Sequence, residues 1–127
     1  MERLRILVVD DEEYVRELVA AVLSEDGHEA DMARNGVEAL PLLRHHAYDL
    51  IVTDLKMPEV DGPALYREVE QHGPDAVKRF IFITGNTHLP EYASFLKTTK
   101  APVLVKPFSL MDLRNAIVRA LARAAAD

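Results

Sequence analysis

The sequence predicts an α/β fold, a doubly wound parallel sheet with helices on both faces. Three observations carry this. Short apolar runs bounded by turn residues recur at residues 4–9, 50–53, 80–83 and 103–105, as expected of strands buried on both faces. Between them, apolar residues fall three or four apart on otherwise polar stretches, the signature of helices with one buried face. The order strand–helix runs five times, and such alternation gives parallel strands joined by crossover helices. Right-handed crossovers leave few ways to wind it.

The elements follow in order. Residues 4–9 are apolar except for Arg5 and end at Asp10-Asp11. From Tyr14, residues Val15, Leu18, Val19, Val22 and Leu23 define a helix face, and Asp26-Gly27 ends that helix because glycine readily takes the left-handed conformation past a helix end. Residues 28–33 form a shorter, more polar strand suited to an edge. Asn35 is the expected N-cap of the next helix, with Glu38 as capping-box partner and Val37, Leu40 and Leu43 facing inward. Pro41 inside that helix removes a hydrogen bond and predicts a kink. The central strand, residues 50–53, ends in Asp54. Asp61 caps a third helix with Pro63 in its first turn and Leu65 and Val69 inward, and Gly73-Pro74 breaks it. Residues 80–83 form the fourth strand, ending at Thr84-Gly85. Pro90-Glu91 opens a fourth helix carrying Tyr92, Phe95 and Leu96, truncated by Thr98-Thr99. Residues 103–105 lead into Lys106-Pro107. Ser109 with Asp112 forms a second capping box, and Leu113, Ile117 and Leu121 face inward from a last helix that frays through the alanine-rich residues 120–126.

Composition narrows the function. The chain has 127 residues, 49% hydrophobic and 28% charged, enough for one domain over residues 1–127 with its own core. It contains no cysteine, which excludes disulfides and thiolate metal sites. A net charge of −6 argues against nucleic acid as a partner, since neutralising phosphates takes basic side chains. No run is long and apolar enough to span a bilayer and Glu2-Arg3 lead directly into a strand, so the expected setting is cytoplasmic, with no membrane partner.

Four of the five predicted strands end in a polar group: Asp10-Asp11, Asp54, Thr84 and Lys106. In a parallel sheet these ends share one edge, where open α/β folds bind ligands. Each residue alone has an ordinary explanation as a helix cap, a turn residue or a solvated charge. Their joint placement does not. Carboxylates gathered at one edge raise one another's pKa unless a cation sits among them. Mg²⁺, an oxygen-seeking ion that keeps several waters, suits two carboxylates and a phosphate oxygen. A carboxylate can attack a phosphoryl group to give an acyl phosphate, while an ammonium and a hydroxyl meet the remaining oxygens. Gly85 leaves space for the group to enter.

The motifs Leu7-Val8-Val9-Asp10-Asp11, Asp54-Leu55-Lys56-Met57-Pro58 with Asp61-Gly62, Thr84-Gly85 and Lys106-Pro107-Phe108 make the chain resemble, over its whole length, the receiver domain of two-component response regulators. The resemblance implies a flavodoxin-like sheet of strand order 2-1-3-4-5. It implies that Asp54 accepts a phosphoryl group from a phosphohistidine on a sensor histidine kinase or histidine phosphotransfer protein. Mg²⁺, or Mn²⁺, would be held by Asp11, Asp54 and the Lys56 backbone carbonyl, with Asp10 acting through water. Lys106 would pair with the phosphoryl group, Thr84 would move to donate to it, and the Lys106–Pro107 bond would be cis. It also implies output, and pairing of two copies, through the fourth helix, fifth strand and fifth helix. Such a domain is not an enzyme by itself, although it assists its own phosphorylation and dephosphorylation. Lys56 and Asn86 flank the site and would tune hydrolysis. The chain departs from the family at Val103, where many receivers carry a rotating Tyr or Phe; the usual aromatic switch is missing. Residues 95–108 are also similar to receivers at the C-terminus of hybrid sensor histidine kinases.

Two rivals use the same residues. A haloacid-dehalogenase-like phosphatase also forms an aspartyl phosphate, but its nucleophile ends the first strand in an Asp-x-Asp pattern, whereas here the acidic pair comes first and the lone Asp54 mid-chain. A receiver-like interaction module that no longer phosphorylates would dispense with the site residues, yet all are present. There is no G-x-G-x-x-G or Walker loop for nucleotides. His28, His45, His46, His72 and His88 lack metal-binding spacing and read as solvated histidines of loops and helix ends.

Overall fold

Alternating side chains along a buried strand must satisfy two layers, and this sheet does so. The computed structural model describes residues 3–85 and 90–126; the expectations for Asn86 and His88 lie outside them. Five strands, β1 (Arg5–Val9), β2 (Glu29–Ala33), β3 (Leu50–Asp54), β4 (Phe80–Thr84) and β5 (Val103–Val105), alternate with five helices. The helices are α1 (Glu13–Glu25), α2 (Gly36–His45), α3 (Gly62–Glu70), α4 (Pro90–Thr99) and α5 (Leu110–Ala125). All strand pairs are parallel, in the order β2-β1-β3-β4-β5. This is the expected flavodoxin-like receiver fold.

One set of strand residues, Ile6, Val8, Leu50, Val52, Ile81 and Ile83, packs with α1 and α5 through Val19, Leu23, Leu113 and Ile117. Their sequence neighbours Leu7, Val9, Ile51, Phe80 and Phe82 pack with α2, α3 and α4 through Ala39, Leu65 and Tyr92. On that second face Tyr66, Phe80, Phe82 and Phe95 form an aromatic cluster with ring centroids 5.1–6.3 Å apart.

Several local expectations are corrected. Leu18 is 39% exposed and Val37 46% exposed, so neither belongs to the core. Leu43 is buried and Leu40 packs against the core as expected, while Gly36 and Ala39 complete the inner face of α2. Small residues are used there because Gly36 lies against Val60 of the loop after β3, where a Cβ would collide with the Val60 carbonyl. Asn35 caps α2 as expected, accepting from Glu38 N–H at 2.9 Å, but Glu38 does not close the box: its carboxylate accepts from Arg34 N–H instead. The helix is one continuous element across Pro41. Helix α4 includes both threonines, the Thr98 hydroxyl donating back to Ser94 O, and ends where Lys100 turns left-handed at φ 58°. Helix α5 carries the Ser109–Asp112 capping box and stays helical to Ala125 rather than fraying from Ala120.

His28 is buried, not solvated. Gly27 at φ 88° lets the chain reverse after α1, with Gly27 N–H donating to Ser24 O and His28 N–H to Leu23 O. That turn delivers the His28 ring to the start of β1, where its Nδ1 accepts from Leu4 N–H at 3.1 Å.

Candidate functional site

Strand order reverses at β1: the chain goes from β1 outward to β2, then back across β1 to β3. The crevice between the C-terminal ends of β1 and β3 is therefore the topological switch point, the place where such sheets bind ligands. Val9 pairs with Thr53, so the next residues, Asp10 and Asp54, emerge side by side. Thr84 pairs with Val105 one strand further out, and Lys106 N–H donates to Thr84 O at 2.8 Å. The Lys106–Pro107 bond is cis, as expected.

Asp10, Asp11 and Asp54 offer carboxylate oxygens all within 4.8 Å of one another. Asp10 and Asp54 are buried and Asp11 is exposed. Lys106 Nζ lies 3.3 Å from Asp10 Oδ2 and 3.6 Å from Asp54 Oδ2. Asp10 is fixed twice: its Oδ1 accepts from Glu12 N–H at 2.8 Å, and its carbonyl accepts from Arg16 at 2.8 Å. Thr84 is buried at the end of β4. The Lys56 side chain is exposed and pairs with Glu91 at 3.8 Å, away from the acidic trio.

The electrostatics are those of a crowded acidic site. Burial, then the charge of Asp10, raises the Asp54 carboxyl to about 7, with Lys106 opposing and Asp11 adding to the rise. Burial also raises Asp10. Burial alone would lower Lys106, but its bond to Glu12 and the charges of Asp54 and Asp10 hold it above the usual lysine value. Asp10 Oδ2 is buried and faces the Lys106 ammonium at 3.3 Å without a well-aligned hydrogen bond. A divalent cation fits this site on two counts: it would neutralise carboxylates whose oxygens lie within 4.8 Å of one another, and it would complete the coordination of that poorly aligned buried oxygen.

Two contributors escape sequence reasoning. Glu12 Oε1 lies 2.5 Å from Lys106 Nζ, closer than either aspartate. Tyr92 of α4 donates its hydroxyl to Asp61 Oδ2 at 3.2 Å while Asp61 Oδ1 caps α3 through Ala64 N–H. Burial, then the Asp61 charge, pushes the Tyr92 hydroxyl up to about 12. The only earlier signal for Glu12 was its type: glutamate is an uncommon N-cap residue, and here its side chain makes no cap bond to α1.

A family profile for the response regulator receiver domain matches residues 6–118. The chain belongs to this family. Among curated relatives, this receiver is 37% identical over 119 residues to "Response regulator MprA" of Mycobacterium sp. (strain KMS), covering 94% of the chain and 50% of that protein. It is 35% identical over 114 residues to "Sensor kinase CckA" of Brucella abortus (strain 2308), covering 88% of the chain and 12% of the kinase. The receiver thus spans about half the length of the response regulators it matches. Among solved structures, chemotaxis response regulator CheY4 of Vibrio cholerae superposes with a TM-score of 0.81 at 28% identity, covering 94% of this chain and all of that one. No helix among the described residues is long and apolar enough to cross a membrane.

Proposed function

We propose that residues 1–127 act as one phosphoacceptor unit in which Asp54 receives a phosphoryl group from a phosphohistidine of a sensor histidine kinase or histidine phosphotransfer protein. The observation that carries this reading is the convergence of Asp10, Asp11, Asp54 and Lys106 in the crevice at the switch point. An Asp54 carboxylate oxygen attacks phosphorus. The P–O bond forms as the P–N bond to the donor imidazole breaks, and the imidazole nitrogen keeps that electron pair. Mg²⁺ or Mn²⁺ held by Asp11, Asp54 and the Lys56 carbonyl, with Asp10 through water, would neutralise the carboxylates and polarise the phosphoryl oxygens. Lys106 offsets charge on the transferring group, and Thr84 supplies a hydroxyl toward it.

The acyl phosphate signals by favouring the arrangement in which Lys106 and Thr84 engage it. Val103 is half-buried on β5 and offers no ring to follow Thr84, so output through α4, β5 and α5 is altered relative to receivers with an aromatic there. Pairing of two copies would use the same face. The domain works in a cytoplasmic setting, assists its own phosphorylation and hydrolysis, and has no further catalytic activity of its own. The relatives place such domains both in response regulators and in a sensor kinase.

Intact-mass measurement after acetyl phosphate treatment tests this. The native chain gains one phosphoryl adduct that requires Mg²⁺, and Asp54→Asn gains none. A folded native chain that forms no adduct with acetyl phosphate or a second small-molecule donor would instead support the non-phosphorylating interaction module.

A further inference from the structure

Lys106 has three carboxylates within reach, and the nearest is not part of the acidic trio. Its Nζ lies 2.5 Å from Glu12 Oε1, 3.3 Å from Asp10 Oδ2 and 3.6 Å from Asp54 Oδ2. Glu12 is tethered by its backbone N–H to Asp10 Oδ1, so the residue that grips the lysine is itself keyed to the acidic crevice. Its carboxylate makes no cap bond to α1, although it occupies the N-cap position. The Glu12 side chain is 59% exposed and the Lys106 side chain 17% exposed, so the pair sits at the mouth of the crevice rather than in its floor.

We infer that Glu12 is a positioning residue that holds the Lys106 ammonium at the mouth of the crevice in the resting domain and must release it when a phosphoryl group reaches Asp54. The inference rests on Asp54 being the phosphoacceptor. A lysine donates three hydrogens from one compact charge, and a charge-assisted bond at short range takes a large share of it. The arriving phosphoryl oxygens therefore compete with Glu12 for Lys106. A stronger Glu12 grip slows acquisition of the group, and a weaker grip speeds it. Glu12 touches none of the reacting atoms; it acts through Lys106.

A double-mutant cycle separates this from simple repulsion of an anionic donor. The rate of adduct formation with acetyl phosphate and Mg²⁺ is measured for the native chain, Glu12→Gln, Lys106→Ala and the double variant. Glu12→Gln keeps the size and an acceptor oxygen but removes the charge. It is expected to accelerate adduct formation about fivefold, the scale of a half-exposed ion pair, and to have no effect in the Lys106→Ala background. An unchanged or slower Glu12→Gln rate, or equal acceleration in both backgrounds, overturns the inference. A second readout needs no phosphorylation. The ¹⁵N resonance of the Lys106 ammonium is expected to move in Glu12→Gln without Mg²⁺, and an unmoved resonance also overturns it. A native chain that forms no adduct while that resonance moves refutes the phosphoacceptor reading and leaves the Glu12 grip standing.

Discussion

Asp54 shows at the scale of one residue how gathering carboxylates in a buried crevice costs stability. The residue is 7% exposed, and its carboxyl is raised to about 7, first by burial and then by Asp10. A carboxyl with a raised folded-state pKa favours folding fully only below its unfolded value near 3.9, and that advantage is lost as pH rises through about 7. At pH 8 without divalent cations the native state therefore carries a buried charge that Lys106 offsets only in part. Asp54→Asn is predicted to stabilise the fold there by about 1–3 kcal/mol, and the gain is predicted to vanish below about pH 4. Urea unfolding at both pH values checks this. Other single residues were less legible. His28 looked solvated because its partner, Leu4 N–H, lies at the start of another strand. Glu12 is not legible from sequence because its partner, Lys106, lies 94 residues away. Asp54 and Lys106 were legible because a charge ending an apolar run stands out without any partner being known.

At the scale of elements, two glycines seat the loop that carries the chain from β3 into α3. Gly36 opens α2 against Val60, and Gly62 opens α3 where a Cβ would lie 2.9 Å from the Asp54 carbonyl oxygen and 3.2 Å from the Phe82 ring. Gly36→Ala is predicted to cost about 1–3 kcal/mol by overpacking, read as a lower urea midpoint with an unchanged slope. Gly62→Ala pushes on the backbone of Asp54 itself, so under the proposed function it is predicted to slow acetyl phosphate labelling as well as lower the midpoint. On β5, Val103→Tyr tests the missing ring: a tyrosine there is predicted to change affinity for a partner of the α4–β5–α5 face on phosphorylation. Equal phosphorylation-dependent changes in both chains would show that the ring is not needed. Element types and order are readable because four of the five strands are short apolar runs and each helix has its own stripe. The margins of those stripes were not readable. Leu18 and Val37 lie at helical spacing, but which edge of a stripe is covered depends on what packs against it. Between α2 and the β3–α3 loop the approach is so close that Gly36 and Ala39 take the inner positions.

At the scale of the molecule, sheet order converts four separated strand ends into one site. Because that site repels itself, a divalent cation bound there would be linked to folding. Mg²⁺ at about 100 times its Kd is predicted to stabilise the native chain by about 2.7 kcal/mol and Asp54→Asn by much less, read as shifts in Tm with and without chelator. The overall winding was legible because strand and helix alternate strictly, which leaves few topologies. The same strand order has another consequence. The segment Phe80-Ile81-Phe82-Ile83 has the composition of a cross-β zipper, apolar, β-prone and uncharged. It lies between β3 and β5, while the sheet margins are β2, which carries Glu29 and Asp31, and β5, which is three residues long. A charged margin and a short one are poor templates for a neighbouring chain. The most apolar strand is thus insulated while the protein is folded, and it can meet another chain only in the time it spends unfolded.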